Sequence, residues 1–83
     1  MLSDKDRAIL AFEEANWETG RWEKEGRVRR RLGLTLTRYN QRLASIAQEA
    51  EALAEYPQLI YRVRARIEAR VQRRGGALIS REA

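Results

Sequence analysis

The sequence predicts an all-α protein, a compact bundle of about four helices that contains a helix-turn-helix. Apolar residues recur every three or four positions through most of the chain, and no alternating run bounded by turn residues marks a strand. Glycines and a single proline divide the helical segments. Because 83 residues hold only one core, we predict one domain over residues 1–74 and a flexible tail over 75–83.

The first predicted helix begins after Ser3, a good N-cap with Asp6 three positions later in a variant of the capping box. Ile9 belongs to its apolar face, and Trp17 continues that face until Gly20 stops the helix.

The second predicted helix runs from about Trp22 to Leu32. Trp22, Val28 and Leu32 are predicted to face inward. The predicted outward side carries Lys24, Arg27, Arg30 and Arg31. Trp17 and Trp22 are expected to pack between the first two helices, because large aromatic residues are more often core than ligand-binding.

Residues 28–43 have the pattern of a helix-turn-helix. Two helices that cross steeply through a short turn need a glycine for a positive φ, an apolar plug, and apolar residues that seat the second helix. These positions hold Gly33, Leu34, Tyr39 and Leu43. Thr35 is the predicted cap of the third helix. One usual feature is missing, since Arg29 stands where a small residue is common, and Val28 can fill that gap.

The Ala- and Glu-rich segment 47–55 either extends the third helix or forms a short helix of its own. Pro57 suits the first turn of the last helix, and Gly75-Gly76 is predicted to end it. Apolar residues of this helix repeat every four positions, at Leu59, Val63, Ile67 and Val71.

Seventeen Lys and Arg residues against twelve Asp and Glu give a net charge of +5, and arginines cluster in the middle of the chain and in the last helix. Two basic clusters in a small domain favour a polyanionic partner. The arginines of the last helix either contact DNA, form a solvated face, or flank a homodimer seam along the apolar repeat. They include Arg62, Arg66, Arg70 and Arg73.

Double-stranded DNA is the expected partner, with the third helix in the major groove. The predicted base-contacting residues are Thr37, Arg38, Gln41 and Arg42. The predicted backbone-contacting residues are Arg27, Arg30, Arg31 and Thr35. The first hypothesis is a transcriptional regulator that acts as a dimer, because one module reads few bases. The alternative is a protein-interaction module that binds the transcription machinery or another regulator.

The sequence offers few candidate catalytic residues. The chain has no His and no Cys, so it lacks the usual general base, nucleophile and transition-metal ligands. Glu13 and Glu14 are expected on solvent faces. We predict no enzyme activity, no cofactor and no metal. No apolar run approaches the length of a membrane span, so we expect a cytoplasmic, nucleoid-associated protein.

Several segments resemble a family of short actinobacterial and phage-borne proteins of unknown function. The similarity covers residues 4 to about 72 and includes Asp6-Arg7-Ala8-Ile9-Leu10, Leu34 to Gln41, and Tyr56-Pro57-Gln58-Leu59. Members are helix-turn-helix-like, with a Thr-Arg-Tyr signature that matches Thr37-Arg38-Tyr39 and an Arg-rich last helix. This chain departs from the pattern at Gly26, at Asn40 and by about one extra residue near Glu18–Arg21. The resemblance implies the fold more than a function.

Overall fold

The computed structural model describes the backbone of residues 1–82 and the side chains of residues 1–73. Within this part of the chain there are five helices and no strand, which confirms the all-α prediction. They are α1 (Asp4–Ala15), α2 (Arg21–Leu32), α3 (Leu36–Ile46), α4 (Ala50–Glu55) and α5 (Pro57–Glu82). The Ala- and Glu-rich segment therefore forms a separate short helix, and the bundle has one helix more than the four predicted.

The predicted capping box begins α1. The Ser3 hydroxyl accepts a hydrogen bond from the Asp6 backbone N–H at 3.1 Å, and the Asp6 carboxylate accepts one from the Ser3 backbone N–H at 3.1 Å. The helix ends at Ala15, earlier than predicted, and Asn16 caps it: its backbone N–H and its side-chain amide both donate to the Phe12 carbonyl, at 3.0 and 2.9 Å. Trp17 thus lies in the turn that follows α1.

The core surrounds α3, which contacts α1, α2 and α5. Each of these helices contributes at least one fully buried side chain, and burial of a large apolar side chain is worth about 1.5–3 kcal/mol. The side chains with no exposed surface include Leu10, Val28, Tyr39 and Ile60. The third helix is consequently held on one side by α1, α2 and α5.

Polar contacts join the shorter elements to this core. Arg7 of α1 pairs with Glu55 of α4 at 2.5 Å, and the Leu2 backbone N–H donates to Glu51 at 3.1 Å. The Leu2 hydrogen bond lowers the pKa of the Glu51 carboxyl. Arg64 of α5 donates from Nε to the carbonyl of Ala47, the residue after α3, at 2.6 Å.

Helix α5 begins at Pro57 as predicted but does not end at Gly75-Gly76; it continues to Glu82. A glycine inside a helix costs about 1 kcal/mol relative to alanine but does not prevent helical geometry. Of the predicted apolar repeat, only its N-terminal half is buried, since Val63 is 3% exposed and Val71 is 60% exposed. The side chains of residues 75–83, predicted as a flexible tail, lie outside the described residues. Among the described helices, none combines the length and apolarity that a membrane crossing requires.

Candidate nucleic-acid interface

The turn between α2 and α3 has the geometry that the sequence predicted. Gly33 lies in the left-handed region with φ of 67°, and its backbone N–H donates to the Arg29 carbonyl at 3.1 Å. The Thr35 hydroxyl accepts from the Arg38 backbone N–H at 3.2 Å and so caps α3. Val28 is fully buried beside the turn, while Leu34 packs against the core and remains partly exposed. The α2–turn–α3 unit is therefore a helix-turn-helix.

One face of α3 is buried and the opposite face is open to solvent. Tyr39, Leu43 and Ile46 form the buried face. The four predicted base-contacting residues all have exposed side chains. Thr37 and Gln41 lie opposite the buried face, whereas Arg38 and Arg42 lie on the flank toward α1. The structure thus brings these four residues together on one accessible surface.

One groove beside this face lies toward α1. We call it the Lys5 groove; it has a volume of about 390 Å³, a rim of Lys5, Arg31, Arg38 and Arg42, and a floor of Ala8, Ile9, Leu32 and Leu34. The Arg42 guanidinium lies 4.0 Å from the Asp6 carboxylate, while most of this rim is exposed. The groove is cationic at its edge and apolar at its base.

Two adjoining grooves lie on the opposite side of α3, toward α5. The smaller, which we call the Arg70 groove, has a volume of about 520 Å³ and is lined mainly by Trp17, Arg21, Lys24, Asn40, Arg66 and Arg70. The larger, of about 590 Å³, shares Arg21, Asn40, Arg66 and Arg70 with it and extends to Gln41 and Val71. No Asp or Glu belongs to the described lining of these grooves. The exposed face of α3 is therefore flanked by positive charge on both sides.

The predicted backbone-contacting residues divide into two groups. Arg30 and Arg31 are exposed, as the prediction requires. Arg27 is half-buried, and its guanidinium already donates to Asn16 at 2.6 Å and pairs with Glu23 of the same helix at 2.7 Å. The bond to Asn16 joins α2 to the turn after α1, so Arg27 has a structural role that the charge pattern alone did not indicate. Thr35, the fourth, is the cap of α3.

A buried junction behind α3 joins the four longest helices through one carboxylate. Glu13 of α1 has no exposed surface. Its Oε1 accepts a hydrogen bond from the Tyr39 hydroxyl at 2.6 Å and pairs with the Lys24 ammonium at 2.6 Å, while its Oε2 lies 3.4 Å from the Arg66 guanidinium. We call these four side chains the Glu13 junction.

Two predictions are corrected by this junction. Glu13 was expected on a solvent face and Lys24 was placed outward, but they are 0% and 8% exposed. The physical reason is helical spacing: Glu13 follows the buried Ile9 by four residues, and Lys24 precedes the buried Val28 by four, so each shares the core face of its helix. Their opposite charges offset the cost of burial.

The junction also fixes the ionisation of Tyr39. Burial, followed by the hydrogen bond to the charged Glu13, raises the pKa of the Tyr39 hydroxyl well above its ordinary value of 10.0. The Tyr39 ring packs edge-on against Phe12 with centroids 5.6 Å apart. Tyr39 is therefore a core residue, as predicted, with a polar end that organises the core.

The two tryptophans have different environments, which corrects the expectation that both are packed. The Arg66 guanidinium lies 3.8 Å from the centre of the Trp17 ring, and Arg62 lies 5.7 Å from it. Trp22 is 85% exposed. It lies six residues before Val28, about 120° around the helix from the buried face, and so cannot share that face.

Sequence reasoning missed three residues of the flanking surface: Lys5, Arg21 and Asn40. Lys5 and Arg21 stood apart from the arginine clusters on which the charge argument depended, and helical spacing alone does not show which helices adjoin α3. Among the last-helix arginines, Arg66 and Arg70 line the Arg70 groove, whereas Arg62 contacts Trp17 and Arg73 is exposed and does not line the groove.

The geometry defines a small all-α protein whose helix-turn-helix presents a polar, basic-flanked helix. The chain belongs to the family described as protein of unknown function (DUF3263), whose model matches residues 1–75. This agrees with the resemblance to a family of unknown function over nearly the whole chain. No curated protein and no solved structure matches the chain.

Proposed function

We propose that this protein binds double-stranded DNA and regulates transcription, with α3 docked in the major groove. The observation that carries the proposal is the exposed face of α3 with cationic grooves on both sides. A major groove is about 12 Å wide and admits one helix, with a phosphate strand along each edge. A reading helix with positive charge on both flanks suits that arrangement.

Each side chain of the exposed face has a chemistry that suits its proposed contact. Arg38 and Arg42 can each donate two hydrogen bonds to guanine, and the Gln41 amide can pair with adenine. Thr37 can contact a thymine methyl group or a phosphate. Arg30 and Arg31 supply contacts to phosphates, which position the protein without specifying sequence.

The proposal includes a dimer, because a single helix-turn-helix reads too few bases for high specificity. Ile67 and Val71 on α5 line a groove together with Gln41 and Arg70, so a partner seated there would cover the proposed reading face, and the dimer contact would lie elsewhere. The actinobacterial or phage origin and the Thr-Arg-Tyr signature that the resemblance implies belong to the same proposal, as does association with the nucleoid. No catalytic step is assigned to the protein.

The test is a fluorescence-anisotropy titration of duplex DNA at several salt concentrations, with wild type and Arg38→Ala measured in parallel. We expect wild-type affinity to fall steeply with salt and the variant to lose sequence preference. Absence of binding at low salt would contradict the proposal.

A second candidate function is the binding of an acidic protein segment in the Lys5 groove. Its apolar floor and cationic rim fit an amphipathic helix that carries Asp or Glu beside its apolar face. Charge reversal at Arg38 or Arg42 would weaken the binding of DNA and of an acidic protein alike, because both residues belong to the rim of the Lys5 groove. Gln41 does not line this groove, so Gln41→Ala should impair recognition of DNA sequence and leave a protein complex intact.

A further inference from the structure

The Arg70 groove concentrates more positive charge than the fold neutralises. Arg21, Lys24, Arg66 and Arg70 come from two helices, α2 and α5, and converge on one groove beside the start of α3. The carboxylate nearest to them in the Glu13 junction is buried and already binds Lys24 and Arg66. No ion pair of Arg21 or Arg70 occurs among the residues whose side chains are described. A bound anion would relieve this repulsion.

One guanidinium of the groove is held in place before any ligand arrives. Arg66 is fixed by Glu13 at 3.4 Å and by the Trp17 ring at 3.8 Å, while 43% of its side chain remains exposed. An arginine positioned in advance loses less conformational entropy when it binds a ligand. Arg21 and Arg70, both exposed, can add donors of the planar geometry that matches phosphate oxygens.

The volume and position of the groove indicate what kind of phosphate it would hold. At about 520 Å³ the groove exceeds a bare phosphate ion and has room for a phosphate with its attached sugar. Asn40 of α3 lines it, so the groove adjoins the proposed base-reading face directly. A DNA strand at the edge of the major groove passes this position if α3 lies in that groove.

We infer that the Arg70 groove binds a phosphate of the DNA backbone and so clamps the strand on the α5 side of α3. This inference rests on the proposed function and adds residues to it: Arg21, Arg66 and Arg70 contact the backbone, and Asn40 can donate to the same phosphate. It assigns a role to Arg21 and to Asn40, and it selects Arg66 and Arg70 from the arginines of the last helix.

The experiment compares two neutralising variants of exposed arginines on α5, Arg70→Gln and Arg73→Gln. Both remove one positive charge, but only Arg70 lines the groove. With duplex DNA, we expect Arg70→Gln to weaken binding about equally for all sequences and to reduce the slope of log affinity against log salt by about 1. Arg73→Gln should change that slope less. If the slope changes equally in both variants, the effect comes from net charge alone, and the inference is overturned.

A second measurement distinguishes DNA from a small phosphate ligand as the source of the anion. In a Trp22→Phe background, Trp17 is the sole tryptophan, and its contact with Arg66 makes its fluorescence a reporter of the groove. We expect duplex DNA to change this signal at concentrations at which it binds, and inorganic pyrophosphate to do so only far more weakly. Tight pyrophosphate binding with no difference between Arg70→Gln and wild type on DNA would overturn the assignment to DNA.

Different outcomes would contradict the phosphate clamp in the Arg70 groove and the proposed binding of DNA. If wild type binds duplex DNA and Arg70→Gln matches Arg73→Gln, the phosphate clamp is wrong and the proposed function stands. If wild type binds no duplex at low salt, both are wrong. Circular dichroism of each variant checks that the fold is kept, which we expect because both arginines are exposed.

Discussion

The two sides of α3 differ in what their polar residues do. On the inner side, the Tyr39 hydroxyl, 2.6 Å from Glu13, belongs to a junction with no access to water at its carboxylate. On the outer side, Arg38, the preceding residue, is exposed and bonded to no described carboxylate. Adjacent residues can therefore serve stability and binding separately. We expect substitutions on the inner side to change the free energy of unfolding and those on the outer side to change binding.

The largest expected effect follows from Glu13→Gln. The substitution keeps an acceptor for Tyr39 but leaves the buried Lys24 ammonium without its counter-charge. Removal of one partner from a buried ion pair costs about 3–5 kcal/mol. The measurement is urea-induced unfolding at neutral pH. Glu14→Gln, an exposed neighbour, is the control and should stay within about 0.5 kcal/mol of wild type. Similar losses for both variants would show that the junction does not hold the helices together.

A smaller loss is expected for Tyr39→Phe, because the ring stays packed and only the hydroxyl is removed. Loss of a buried hydrogen bond to a charged group costs about 1.5–3 kcal/mol. Tyr61→Phe is the matched control, since Tyr61 is 63% exposed. Comparable destabilisation by the two variants would contradict the contribution assigned to the Tyr39–Glu13 hydrogen bond.

Unfolding at alkaline pH gives a second test of the Tyr39–Glu13 hydrogen bond. The raised pKa of Tyr39 means that the folded protein keeps the phenolic proton where the unfolded chain releases it, so unfolding releases a proton. Its contribution to stability is fully present below pH 10.0 and decreases as the pH rises above that value. We expect wild type to lose stability in this range more steeply than Tyr39→Phe. Since Lys24 is present in both proteins, the difference between their slopes isolates Tyr39.

The turn that connects the two sides is tested by Gly33→Ala. A Cβ at Gly33 meets no atom within 4 Å, so the expected cost of about 1–2 kcal/mol comes from the left-handed backbone alone. Gly26→Ala is the control, because Gly26 lies inside α2 and a Cβ there meets only the end of the flexible Arg30 side chain, at 3.3 Å. It should not destabilise the protein, since alanine is favoured over glycine in a helix interior. If Gly33→Ala is equally harmless in urea unfolding, the turn conformation is not required for the fold.

Sequence patterns predicted most of the fold because its signals are local. The Ser3 cap, Gly33 in the turn, the Thr35 cap and Pro57 at the start of α5 each depend on a few neighbouring residues. The predicted end of α5 at Gly75-Gly76 was wrong, because glycine weakens a helix without stopping it.

The site was less predictable because it depends on contacts between helices. The exposure of the outer face of α3 follows from one helix's own period, whereas the grooves that flank it require the positions of α1 and α5. The sequence does contain an indication of the Glu13 junction, because Glu13 and Lys24 each stand at a core position of an amphipathic helix. Opposite charges at two such positions indicate a buried pair, because neither charge is stable there alone.

The smallest expected effect on stability is that of Arg38→Ala. Its exposed guanidinium makes no contact that the fold requires, and an exposed helix position favours alanine slightly over arginine. We expect the free energy of unfolding to stay within about 0.5 kcal/mol of wild type, measured by the same urea titration as for Tyr39→Phe. A loss as large as that of Tyr39→Phe would contradict the division of α3 into a stabilising and a binding face. The adjacent pair of residues thus provides a direct test, because both lie on the same helix and their side chains point in different directions, one into the core and one to solvent.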